Sequence, residues 1–141
     1  MKEFFDTSVL VAACLGDHPH HEASAKAFVK AAKKRSSCAA HSLAELYSTL
    51  TSLPLKPMIS PVQAIPFIQE VRNRLNVIVL DEMDYCITIE QLAERRITGG
   101  RLYDALLLRC AHKAKAETIY TWNLKHFQNL VPELAGKIKT P

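Results

Sequence analysis

Asp6, Glu45, Asp104 and Asn123 are the residues whose types and placement in this sequence suit catalysis. Asp6 closes a short aromatic strand candidate, Lys2 to Asp6, and Glu45 falls in the first turn of a helix that follows a second strand candidate. Asp104 falls in the first turn of an almost wholly apolar helix, and Asn123 comes just after the last strand. Each also suits a local role. Asp6 and Asn123 are N-cap types, Ser42-x-x-Glu45 fits a capping box, and an acid in a first turn complements the helix dipole. Asp104 is the hardest to explain that way, because Tyr103, Ala105, Leu106, Leu107 and Leu108 flank it and an unpaired carboxylate is costly to bury. Carboxylates gathered at neighbouring strand ends repel one another unless a cation lies between them. Hard oxygen donors with no histidine or thiolate beside them select Mg2+ or Mn2+. A divalent ion held in this way activates water and neutralises the charge that develops when a phosphodiester is hydrolysed.

The elements that must position these residues alternate along the chain. Lys2 to Asp6 runs into a helix over Thr7 to Leu15, and a second, alanine-rich helix is expected from about Pro19 to Lys34. Ser37 to Ala40 is a brief strand candidate, followed by Leu43, Leu46, Tyr47 and Leu50 at the spacing of an amphipathic helix. Ser60-Pro61 starts another helix whose Ala64, Ile68, Val71 and Leu75 share a face. Val77 to Leu80 is an unbroken apolar run, suited to the middle of a parallel sheet. Helices from about Asp84 to Arg95 and from Leu102 to Ala116, a strand over Thr118 to Thr121 and a short helix from Leu124 complete the reading. Such alternation implies an α/β fold of three layers, with helices on both faces of a central, mostly parallel sheet. Ligands of such sheets bind beyond the carboxyl ends of the strands, where the acids fall.

The 141 residues are expected to form a single domain, 1–141. With 48% hydrophobic and 23% charged residues the chain is neither disordered nor fibrous, and its net charge of +4 permits a polyanionic partner. Four scattered cysteines, Cys14, Cys38, Cys86 and Cys110, form no CxxC pair and read as reduced core residues. The apolar run Val9 to Leu15 is too short to span a bilayer, and acids precede it where a signal peptide carries basic residues, so a cytoplasmic location is expected and no membrane partner.

Four pieces of the sequence resemble the PIN-domain ribonucleases, in particular the VapC-type toxins of toxin-antitoxin pairs. They are Phe5-Asp6-Thr7-Ser8, Ser42-Leu43-Ala44-Glu45-Leu46-Tyr47, Gly99-Gly100-Arg101-Leu102-Tyr103-Asp104-Ala105 and Thr121-Trp122-Asn123-Leu124-Lys125-His126-Phe127, in the family's order. The resemblance implies a PIN-like fold and an RNA substrate cut to leave a 5′-phosphate and a 3′-hydroxyl. It implies that Asp6 and Asp104 hold the metal, that Glu45 completes the acidic cluster and orients the attacking water, and that Thr7 and Thr121 support them. The fourth family position is often an aspartate; here it is Asn123, which can coordinate through its amide oxygen but adds no charge and so weakens a second metal site. A homodimer and a small antitoxin are the implied partners, the antitoxin inserting a basic side chain among Asp6, Glu45 and Asp104.

Other features remain. Arg95, Arg96 and Arg101 flank the Gly99-Gly100 loop beside Asp104 and are expected to contact the RNA backbone. Lys26, Lys30, Lys33 and Lys34 would share one helical face, and His18, His20 and His21 read as solvated residues at a helix start. His126 is expected to pack against the last strand. The stripes on the Leu43 and Ala64 helices are more apolar surface than a thin domain needs, which is a hint of self-association. Asp81, Glu82 and Asp84 invite a phospho-acceptor receiver reading, but that fold needs paired acids after its first strand, where Asp6 stands alone. A PIN-like module that binds RNA or protein without cutting is the other alternative, kept open by Asn123.

Overall fold

The computed structural model describes residues 2–141. Its five strands are β1 (Glu3–Phe5), β2 (Ser36–Ala39), β3 (Asn76–Ile78), β4 (Thr118–Tyr120) and β5 (Ile138–Lys139), all parallel, in the order β3-β2-β1-β4-β5. The helices are α1 (Thr7–Cys14), α2 (His21–Val29), α3 (Ala40–Ser52), α4 (Pro61–Arg74), α5 (Glu82–Glu94), α6 (Arg101–Lys113) and α7 (Leu124–Phe127), followed by a 3-10 helix over Pro132–Lys137. No helix of the described residues is long and apolar enough to cross a membrane.

The first strand made is the central one. Glu3 pairs with Ser36 of β2 on one side and with Thr118 of β4 on the other. Successive side chains of a strand point to opposite faces, so Phe4 and Phe5 anchor two different cores. Phe4 packs with Leu107, Leu108, Ile119 and Leu134. Phe5 packs with Val9, Phe28, Leu46, Leu50 and Val71. These two cores give the three expected layers.

Several expectations need correction. The Val77 to Leu80 run is not in the middle of the sheet: β3 pairs only with β2, and Val79 lies beyond it, 66% exposed. Its apolar character reflects half-burial under helices rather than strands on both sides. The second helix stops at Val29, because the chain must turn to enter β2; the N–H groups of Arg35 and Ser36 both bond to the Ala32 carbonyl. Lys30 is therefore the C-cap, and Lys33 and Lys34 lie beyond the helix rather than on its face. Both apolar stripes face the core in large part, with Leu46, Leu50, Ala64, Val71 and Leu75 buried, but Tyr47 of the Leu43 stripe is exposed, as are Leu55, Met58, Val62 and Ile65 nearby. Cys38 and Cys110 are buried as expected, but Cys14 is only half-buried and Cys86 is exposed. Burial pushes the Cys38 thiol up to about 12. The 3-10 helix and β5 are additional elements, and β5 protects the β4 edge.

Asp81 and Asp84 act structurally. Asp81 caps α5, and each residue's side chain accepts from the other's backbone N–H, at 2.9 and 3.0 Å. Asp84, only 5% exposed, also accepts from Arg109 at 3.0 Å and from Lys113 at 2.9 Å. Lys113 donates to the Val79 carbonyl as well, so α5, α6 and the end of β3 are pinned together. Lys113 and these other donors hold the Asp84 carboxyl well below its ordinary 3.8. A depressed carboxyl contributes stability that is present above the ordinary value and lost as pH falls through the folded one. Asp84→Asn should therefore lower the melting temperature at neutral pH, and the gap to wild type should begin to shrink below pH 3.8 and close as pH falls through the depressed folded value. A gap of constant size from neutral pH into strong acid would show that the ionised Asp84 is not its source.

Candidate active site

Asp6 ends β1 and stands at the N-cap of α1, with an extended backbone and no side-chain cap hydrogen bond. Its N–H donates to the Tyr120 carbonyl at 3.0 Å, continuing the β1–β4 ladder. The Asp6 side chain is 3% exposed, and its Oδ2 accepts from Ser8 Oγ and from Thr121 Oγ1, each at 2.8 Å. A hydroxyl has one proton, so both hydroxyl oxygens are left as acceptors. Ser8 Oγ accepts from the Trp122 N–H at 3.0 Å, and Thr121 Oγ1 accepts from the Asn123 N–H at 2.9 Å. The turn after β4 is thus tied through two hydroxyls to one carboxylate oxygen. Burial pushes the Asp6 carboxyl above its ordinary value, and the hydrogen bonds from Ser8 and Thr121 oppose that rise.

Glu45 is held by a different device. Helix α3 starts at Ala40, so the expected Ser42-x-x-Glu45 capping box does not form. Thr7 Oγ1 donates to Glu45 Oε1 at 2.8 Å, and with that proton committed, Ser42 Oγ donates to Thr7 Oγ1 at 2.8 Å. The Thr7 side chain therefore links α1 to α3, while its backbone N–H, with that of Ser8, helps to hold the Asp6 carboxylate alongside the Ser8 and Thr121 hydroxyls. Asp104 lies in the first turn of α6, half-buried. Its carboxyl is raised chiefly by burial and further by the negative charges of Asp6 and Glu45, while His126 and Arg101 oppose the rise. The three acids share one electrostatic field.

The remaining expected residues separate into groups. Asn123 is exposed at the N-cap of the four-residue α7, where its side chain makes no cap hydrogen bond. His126 is exposed rather than packed against the last strand, and its charge acts on Asp104. Arg101 and Arg96 are exposed on either side of Gly99, whose φ of 71° is the left-handed conformation that lets the loop turn into α6. Arg95 is tied elsewhere: its guanidinium donates to the backbone carbonyls of Leu130 and Asn129. The three histidines are ordered, not merely solvated. His21 Nδ1 bonds to the Ala12 carbonyl at 2.9 Å, His18 Nδ1 accepts from the His20 N–H at 3.0 Å, and His20 stacks on Trp122.

Among the described residues, no three His, Cys, Asp or Glu side chains close on one point as a finished metal cage. The chemistry of the donors at Asp6, Glu45 and Asp104 nevertheless fits a hard divalent cation, because they are carboxylates whose mutual repulsion a positive charge would relieve.

The PIN domain family matches residues 4–130. The chain is 37% identical over 114 residues to ribonuclease VapC40 of Mycobacterium tuberculosis, covering 81% of each protein. It is 30% identical over 112 residues to ribonuclease VapC27 of the same species, covering 79% of this chain and 78% of that one. Among solved structures, M. tuberculosis VapC20, described as a sarcin-ricin loop cleaving toxin, superposes with a TM-score of 0.70 at 15% identity, over 89% of this chain and 92% of that chain. VapBC2 from Rickettsia felis, bound to a DNA fragment from its promoter, gives 0.69 at 19% identity, over 100% of this chain and 99% of that chain. The fold is therefore common to proteins whose sequences have diverged widely.

The Asp6 arrangement is directly testable. Thr121→Val keeps the shape of the side chain and removes one of the two hydroxyl donors. A hydrogen bond donated to a carboxylate favours its ionised form, so the Asp6 carboxyl should titrate higher in the variant than in wild type. Carboxyl-carbon NMR titration measures this; an unmoved Asp6 curve would mean that the hydroxyl does not hold the ionised form.

Proposed function

Because the chain belongs to the PIN-domain family, as a VapC-type ribonuclease, we propose that Asp6, Glu45, Asp104 and Asn123 form its RNA-hydrolysing centre. PIN-domain ribonucleases use a divalent metal, and on this reading it is Mg2+ or Mn2+, held by Asp6 and Asp104. When bound, such an ion supplies a water of lowered pKa and positive charge against the phosphate. The chain's own groups do the rest. Glu45 is oriented through Oε1 by Thr7, which leaves Oε2 to accept a proton from the attacking water. His126 and Arg101, whose charges already reach Asp104, offset the negative charge of the scissile phosphate, and Arg96 contacts the RNA backbone further along. In-line attack of the water oxygen forms a P–O bond as the P–O3′ bond breaks, and the departing 3′-oxygen takes a proton from solvent water, which leaves a 5′-phosphate and a 3′-hydroxyl. Asn123 adds an amide oxygen without charge, which favours one ion over two.

The observation that carries this reading is the PIN-domain match over residues 4–130, within which Asp6 follows β1, Glu45 lies on α3 and Asp104 lies in the first turn of α6, near enough for the other two acids to act on it. Asp6→Asn or Asp104→Asn should lower RNA cleavage by about 10²–10³-fold or more while leaving the circular-dichroism spectrum unchanged. EDTA should abolish wild-type cleavage, with Mg2+ or Mn2+ restoring it. Near-native cleavage by either folded variant would remove its residue from the centre.

The partners belong to the same reading: RNA, a second copy of this chain and a small antitoxin that places a basic side chain among the acids. The exposed Leu55, Met58, Val62 and Ile65 supply apolar surface of the kind that self-association covers. Light scattering of the purified chain should give the mass of a dimer, and a strictly monomeric mass at high concentration would exclude it.

A further inference from the structure

A stacked pair of rings beside the acidic centre has no part in the hydrolysis described above. His20 lies on Trp122 with ring centroids 3.8 Å apart and planes 8° from parallel. The indole is fixed at two points. Its Nε1–H donates to Ser24 Oγ at 2.8 Å, and Ser24 is fully buried. Its backbone N–H donates to Ser8 Oγ, the same hydroxyl that donates to Asp6 Oδ2, so one side chain separates the backbone under the indole from the buried carboxylate. His20 is exposed and precedes α2, and its N–H is bonded to His18 Nδ1, which orders the loop carrying it. The pair follows the carboxyl end of β4, next to Asn123 and one turn before His126.

A rigid aromatic surface open to solvent at the edge of an anion-hydrolysing site fits a flat, unpaired ring. Proteins that bind single-stranded RNA stack its splayed bases on such side chains, while charges track the backbone. We propose that the His20–Trp122 stack is the platform for one unpaired base of the RNA, adjoining the phosphate that is cut. This rests on the ribonuclease reading and deepens it: the centre takes single-stranded or looped RNA, and the stack fixes the register of the chain across it. His20 and Trp122 are binding residues here; neither touches the reacting atoms.

Trp122 is the single tryptophan of the chain, so its fluorescence reports on the platform alone. In the Asp104→Asn background, short oligoadenylate should quench it, and an abasic ribose-phosphate oligomer of equal length should not. His20→Ala should weaken oligoadenylate binding by roughly 5- to 150-fold, the range for loss of one base stack, and His20→Phe should restore it. With Asp104 intact, His20→Ala should raise KM for a single-stranded RNA rather than lower kcat. The proposal is overturned if the abasic oligomer quenches and binds equally well. It is also overturned if His20→Ala lowers the melting temperature while leaving affinity and KM unchanged, the result expected of a brace for the loop. Failure of wild-type protein to cut RNA with either metal would overturn the ribonuclease reading itself, and is separate from both.

Discussion

Three carboxylates at one end of a parallel sheet repel each other, and most of the polar structure around them exists to hold them there. Asp6 alone would gain by protonating, since it is nearly inaccessible to water. Two hydroxyls donating to a single oxygen counter that tendency, and their own oxygens are held in turn by backbone N–H groups of the turn after β4. Glu45 is fixed by a chain of hydroxyls from α1 and α3. Among the described residues no lysine or arginine forms a salt bridge with these three acids, and a bound cation would relieve their repulsion.

The apolar architecture and the polar site are coupled through β1. Phe4 and Phe5 commit the central strand to cores on both faces, so the residue that follows them cannot shift without disturbing both. Asp6 inherits its precision from that burial. On the opposite flank, the Asp84–Arg109–Lys113 group sets how α6 lies against α5, and α6 carries Asp104. An ion pair outside the acidic cluster thus helps to set the position of the helix that carries one of its members.

The fold class, the chain order of its elements and the acids at strand ends were legible because each rests on local signals: periodicity, caps and helix-start types. Strand order was not, since an apolar run such as Val77 to Leu80 looks alike at the centre of a sheet and at an edge covered by helices. The roles of the small hydroxyl residues were illegible for a related reason. Ser42 and Glu45 have the spacing of a capping box, and only the start of α3 at Ala40 shows that their partner is Thr7, 35 residues before Ser42. The links from Ser8 and His20 to Trp122 carried no local signal, because Trp122 lies more than a hundred positions later in the chain.

The same separation bears on how the protein is made. Chains leave the ribosome N-terminus first, and domains fold once the segments they need have emerged. Asp6 is made before its partners: β4, which flanks β1 on one side, pairs with it across 115 residues, and the Thr121 hydroxyl, one of the two that donate to Asp6, also comes 115 residues later. Until then β1 lacks one neighbour and the Asp6 carboxylate lacks the Thr121 hydroxyl. A ribonuclease with this topology cannot complete the Asp6 pocket until both β4 and the turn after it have been made on the ribosome, itself an RNA machine.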